Sequence, residues 1–164
     1  MKIIALGYNE YLLMEESGDR EIGKLSCSSW TNKAEIFSQE AHYLINSTGF
    51  WGMTKELSKQ EQRLYKLNLS WHGHYEIRSL MAETNQFFIV KAKSLAYKDC
   101  VLLDKQNNEL LTISISYEGF STIKVNLNVP DIEKIHSLAA DNLLIYMALY
   151  CANRLSMMMM ASRT

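Results

Sequence analysis

The sequence predicts a mainly β protein: an antiparallel β-barrel of roughly twelve strands closed around a hydrophobic C-terminal helix. Three observations predict it. Apolar residues recur with period two through most of the chain before residue 130. The only proline, Pro130, marks a change to helical patterning. Beyond it the run LLIYMALYCA, Leu143 to Ala152, is apolar on every side.

The strands follow from the alternation. Candidates lie at residues 2–6, 10–15, 21–26, 34–38 and 42–47. RLYKLNLSW sets Tyr65, Leu67, Leu69 and Trp71 against Lys66, Asn68 and Ser70. Residues 75–79, 86–91 and 99–104 come next. LLTISISY puts Leu111, Ile113, Ile115 and Tyr117 on one face, and STIKVNLNV does the same with Ile123, Val125, Leu127 and Val129. Glu118-Gly119 between them predicts a tight hairpin turn. About eleven strands result. Two stretches also repeat a design: YLLMEESGDREIGKL and CVLLDKQNNELLTI each run apolar strand, acid, polar turn, glutamate, apolar strand. Duplication and the small repertoire of turn chemistry both account for that likeness.

Residues 131–160 read as one helix, with 161–164 as a frayed tail. Asp131 suits the N-cap, Glu133 complements the first turn, and Arg154 suits the other end. A helix apolar all round is either buried or spans a membrane. The uninterrupted run is bracketed by Asp141-Asn142 and Asn153-Arg154, far short of the ~20 residues a span needs. Such a run rises only ~15 Å and is ~10–12 Å across. A flat sheet covers one side of it; a sheet curled into a barrel covers all sides and leaves no long open edge. A two-layer α+β sandwich with the helix covered by a dimer partner is the rival.

Composition sets the remaining bounds. The 164 residues, 48% hydrophobic and 21% charged, suit a single domain over 1–164, with strands in 1–129. A net charge of −1 supplies no global field for nucleic acid or anionic lipid, which leaves only local patches. Cys27, Cys100 and Cys151 are odd in number and widely spaced, so reduced thiols in the cytoplasm are expected. The N-terminal stretch is too short for a signal sequence.

The paired hairpins YLLMEESGDREIGKL and CVLLDKQNNELLTISISYEGFSTIKVNL, followed by LLIYMALYCA, resemble the tubby C-terminal, LURP-one and phospholipid-scramblase superfamily. The resemblance implies a barrel of about twelve strands around such a helix. It also implies recognition of phosphoinositide head groups by basic surface residues, or calcium binding by an acidic segment. No motif of this chain matches either, so no residue is assigned those roles.

Candidate chemistry is sparse. His72 and His74 flank Gly73 and would share a strand face as weak metal ligands, but a third ligand is missing and only His42 is a remote possibility. Set against this is a plain turn with two solvated histidines. Asp99-Cys100, or Cys27 with His42, lacks a placed base, and no glycine-rich phosphate cradle occurs. Lys55, Lys59, Arg63 and Lys66 form a basic cluster diluted by Glu56 and Glu61. Gly49-Phe50-Trp51-Gly52 is either an exposed aromatic anchor or a barrel plug, and Met157–Met160 is either an adaptable contact surface or the helix's packed end. The expectation is a non-catalytic binding or scaffold domain with no cofactor and no transmembrane segment. It would engage a partner protein or a phospholipid head group through Phe50, Trp51, Lys55 and Lys59. A small-molecule carrier and a metal-dependent enzyme using His72 and His74 are the alternatives.

Overall fold

The computed structural model describes residues 1–39, 41–49, 51–94, 98–118 and 122–161. The strands are β1 (Lys2–Gly7), β2 (Glu10–Met14), β3 (Glu21–Cys27), β4 (Ala34–Ser38), β5 (His42–Thr48), β6 (Thr54–Lys59), β7 (Gln62–Leu69), β8 (Tyr75–Ser79), β9 (Phe87–Ala92), β10 (Asp99–Leu103), β11 (Glu109–Glu118) and β12 (Thr122–Asn128). Each pairs antiparallel with the next in one twelve-stranded sheet, and β12 comes back alongside β1, so the barrel is nearly closed. The helices are α1 (Ile132–Leu138), a single 3₁₀ turn (Ala140–Asn142) and α2 (Leu143–Ala161).

The period-two pattern does what the alternation requires. Leu25, Ile36, Ile45, Leu57, Leu67, Ile77, Leu102 and Leu111 face inward and are fully buried. They meet α2, in which every residue from Leu143 to Ser156 is buried. Burying a Leu or Ile side chain contributes about 1.5–3 kcal/mol, and a helix with no wet face gains it on all sides. Ala140–Ala161 is long and apolar enough to cross a membrane by composition, yet 78% of its most apolar window is buried inside the barrel. Gly23 on β3 makes room for it, because a Cβ there would collide with the Tyr146 hydroxyl and the Phe37 carbonyl.

Four expectations need correction. A twelfth strand, β6, lies within the charged cluster. Trp71 does not continue the inward face of β7: the strand stops at Leu69, the backbone turns through Ser70–His74, and Trp71 points outward. The tail is not one helix. Ala139 is extended and Asp141 and Asn142 adopt left-handed backbone (φ 55° and 57°), a conformation those two residue types tolerate. The break lets α1 fold across the barrel end, with Asp131 capping it by accepting from the Lys134 amide at 2.9 Å. Arg154 is not at the helix terminus but three turns or so into α2, and buried.

The two similar hairpins are also alike in detail. Each ladder shifts register by one residue at its turn end, after Leu13 and after Leu102. Each turn is closed by a bond to the acid's own carbonyl, Gly18 to Glu15 and Asn107 to Asp104, both at 3.0 Å. The donor in each has positive φ. The β11–β12 ladder runs to Glu118↔Thr122; Gly119 lies outside the described residues.

Candidate functional site at one end of the barrel

In an antiparallel meander, alternate connections gather at the same end. The connections that follow β1, β3, β5, β7, β9 and β11 form one set, here called the loop end; its described residues are 8–9, 28–33, 49, 51–53, 70–74, 93–94 and 98. The other set, with α1, forms the capped end.

All three tryptophans of the chain sit in the loop-end set. Trp30 is 95% exposed, Trp51 83% and Trp71 92%. Their loops join β3–β4, β5–β6 and β7–β8, which follow one another around the rim. Tyr8, Met158 and Met160 add exposed apolar surface at the same end. Single exposed hydrophobic residues are ordinary, but several large exposed aromatics gathered at one end mark an interaction surface. No Asp or Glu occurs in any loop-end connection, whereas Lys33, Lys93 and Lys98 do. The acids at the adjoining strand ends include Glu10, paired with Lys24 at 3.1 Å, and Glu118, paired with Lys124 at 2.8 Å.

The helix holds these loops by their backbone. Tyr150 donates its hydroxyl to the Asn32 carbonyl (3.0 Å), Asn153 donates to the Tyr8 carbonyl (2.9 Å), and Arg154 Nη2 donates to the Ser28 carbonyl (2.8 Å). The loop that bears Trp30 and the turn at Tyr8 thus rest on a rigid element.

Three concavities open here among the described residues; one, of about 420 Å³, is lined by His72, His74 and Lys93. A cleft of about 440 Å³ lies between the β5–β6 and β7–β8 loops and is lined by Trp51 and Trp71. Trp51, Met53 and Leu69 also line a second cavity of about 340 Å³, which reaches Lys55, Tyr75 and Arg154.

The four anchor residues expected from sequence do not form one patch. Phe50 lies outside the described residues. Trp51 is exposed as an anchor would be. Lys55 is only 3% exposed; it faces inward on β6 and donates to the Gly52 carbonyl. Burial, and then the neighbouring Arg154, lower its pKa from the ordinary lysine value. Lys59 faces the same way at the opposite end of that strand, its ammonium 5.5 Å from the centre of the Tyr43 ring. It therefore belongs to the capped end.

His72 and His74 lie in the Ser70–His74 turn, their rings 6.3 Å apart and nearly parallel. His74 has Glu76 at 3.8 Å. His42 stacks on Phe37 near the capped end, so it does not join them. Among the described residues, no three His, Cys, Asp or Glu side chains gather as metal ligands. The three thiols are buried. Burial pushes Cys27 and Cys100 up to about 12, and holds Cys151 well above the ordinary thiol value, so all three are unreactive.

Sequence reasoning missed Trp30, the outward turn of Trp71, and Arg154 as site residues. A signal existed for the first: Trp30 sits in the turn-rich stretch SSWTNK, where no strand pattern accounts for a large aromatic. No protein-family profile, curated protein or solved structure matches the chain.

Proposed function

We propose that this chain is a non-catalytic, tubby-like binding domain that docks end-on against an anionic phospholipid surface. The observation that supports it is the set of three exposed tryptophans on successive loops of one end whose connections contain no acid. Tryptophan rings favour the membrane interface, where an apolar body and a polar N–H find both environments. Lysines among them are attracted to anionic head groups. The carrier alternative has less support, because α2 occupies the barrel interior that a ligand would need.

Co-sedimentation tests the reading. The wild-type chain should pellet with vesicles of phosphatidylcholine and phosphatidylserine at 7:3. The Trp30→Ser/Trp51→Ser/Trp71→Ser variant should pellet at least about tenfold less, equivalent to about 1.4 kcal/mol. Equal pelleting, with circular dichroism unchanged, would remove lipid docking and leave a protein partner as the use of this surface.

A further inference from the structure

Among the described residues, two buried cations at the loop end have no counter-ion. Lys55 is 3% exposed and Arg154 6% exposed. Neither takes part in any ion pair among the described residues. Lys55 has the Gly52 carbonyl. Arg154 has the Ser28 carbonyl, the Met157 sulfur at 3.9 Å and the face of Tyr150 at 5.3 Å. Carbonyls satisfy donors but do not neutralise charge, and the buried Arg154 Nε has no partner at all. An uncompensated buried charge is normally paired or neutralised, and here two line one cavity of about 340 Å³. Among the described residues no carboxylate lines that cavity; its uncharged polar walls are Ser29, Asn32 and Tyr75.

We infer that this mouth is an anion site that takes a phosphate group, with Lys55 as the point charge and the Arg154 guanidinium as the second cation of its wall. A tetrahedral oxyanion offers several acceptor oxygens and a charge that matches two cations, and Arg and Lys are the residues that hold it. The cavity has room beyond a bare ion, so a phosphate ester fits, its remainder leaving past Trp51 toward the adjoining cleft. Such a group is found on a phospholipid head or on a soluble phosphate ester. The inference extends the docking reading to one pocket of the same end, and soluble phosphate tests it without a membrane.

The test uses the full chain in inorganic phosphate, against sodium chloride at matched ionic strength. Thermal midpoint and isothermal titration are read together. Phosphate should raise the wild-type midpoint by several degrees and give a titratable heat. Lys55→Met, which keeps side-chain length and removes the charge, should be at least as stable as wild type in chloride and lose most of the phosphate-specific shift. Arg154→Lys should weaken binding at least fivefold. An equal phosphate shift in wild type and Lys55→Met would overturn the site, since phosphate stabilises many proteins without binding. So would the absence of heat with wild type at 10 mM phosphate, which needs no variant to fold. Vesicles containing phosphatidic acid or phosphatidylserine at equal surface charge then identify the source. A phosphatidic-acid preference that Lys55→Met abolishes assigns the lipid; soluble binding with no such preference assigns a free ester. If phosphate binds while the triple tryptophan variant still pellets like wild type, the anion site stands and the docking reading falls.

Discussion

The two ends of this barrel are built from the same kind of connection and differ in almost everything else. At the capped end, Glu15, Glu16, Asp19, Glu61, Glu83 and Asp104 stand in the strand connections against Arg20 and Lys105, and none of those connections contains Trp, Tyr or Phe. The loop end has the tryptophans and lysines and no acid. The capped end is also covered. There α1 is tied down by Gln86 donating to the Leu138 carbonyl at 2.6 Å, by the Tyr43 hydroxyl donating to Asp141, and by Lys134 near Asp104 at 3.5 Å. Among the described residues, no helix lies across the loop end. The protein's own polar network closes the capped end, where the Tyr146 hydroxyl is the one buried side-chain atom left without a partner among the described residues. The open end, with solvent-exposed indoles and uncompensated buried cations, is the one with interactions left to make.

That contrast can be broken from the middle. Ile145 is fully buried on α2, and Ile145→Asp puts a carboxylate where nothing can pair it. The expected loss exceeds about 4 kcal/mol, with both ends unfolding together in one urea transition; two transitions would mean the ends are held independently.

Alkaline titration comes next in size. Folding raises the Cys27 and Cys100 thiols from 9.0 to about 12. The stability linked to them is therefore complete below pH 9 and is lost as pH rises from 9 towards 12. Urea midpoints should fall across that window. Cys27→Ala/Cys100→Ala should flatten the part of the fall that precedes tyrosine ionisation, and an unchanged slope would argue against buried thiols.

The ends themselves separate under milder changes. The triple tryptophan variant should lose about tenfold in vesicle partitioning. Glu15→Lys/Glu16→Lys at the capped end should leave partitioning within about twofold, since those charges sit beyond a Debye length of about 10 Å from a loop-end contact. A matching gain from the lysines would mean the protein lies on its side. Smallest is Asp131→Ala, which removes the α1 cap and should cost about 1 kcal/mol in urea without moving vesicle binding.

Much of the fold was legible because burial writes itself into period two. Eleven strands and the buried tail were readable on that basis. β6 was not, because two of its inward positions hold Lys55 and Lys59, and a lysine facing a core defeats the alternation. That omission matters beyond a strand count. In a meander, the parity of a connection decides its end, so leaving out β6 would send Trp71 to the opposite end from Trp30. Trp71 was also misread as an inward residue, since alternation continues through Ser70 while the hydrogen bonds of the Ser70–His74 turn do not. Arg154 looked like a helix-end residue because it follows the apolar run, yet α2 continues to Ala161.

By itself the amino-acid order determined a mostly β chain, a polar seam at Asp141-Asn142 and a tail helix that must be enclosed, because hydrophobic periodicity is a local property. Tertiary closure alone decided that Trp30, Trp51 and Trp71 share a rim and that Lys55 faces the same cavity as Arg154. Such convergence depends on how many times the ribbon reverses and where each strand stops, quantities set by backbone pairing across the whole barrel and not by any short stretch of residues.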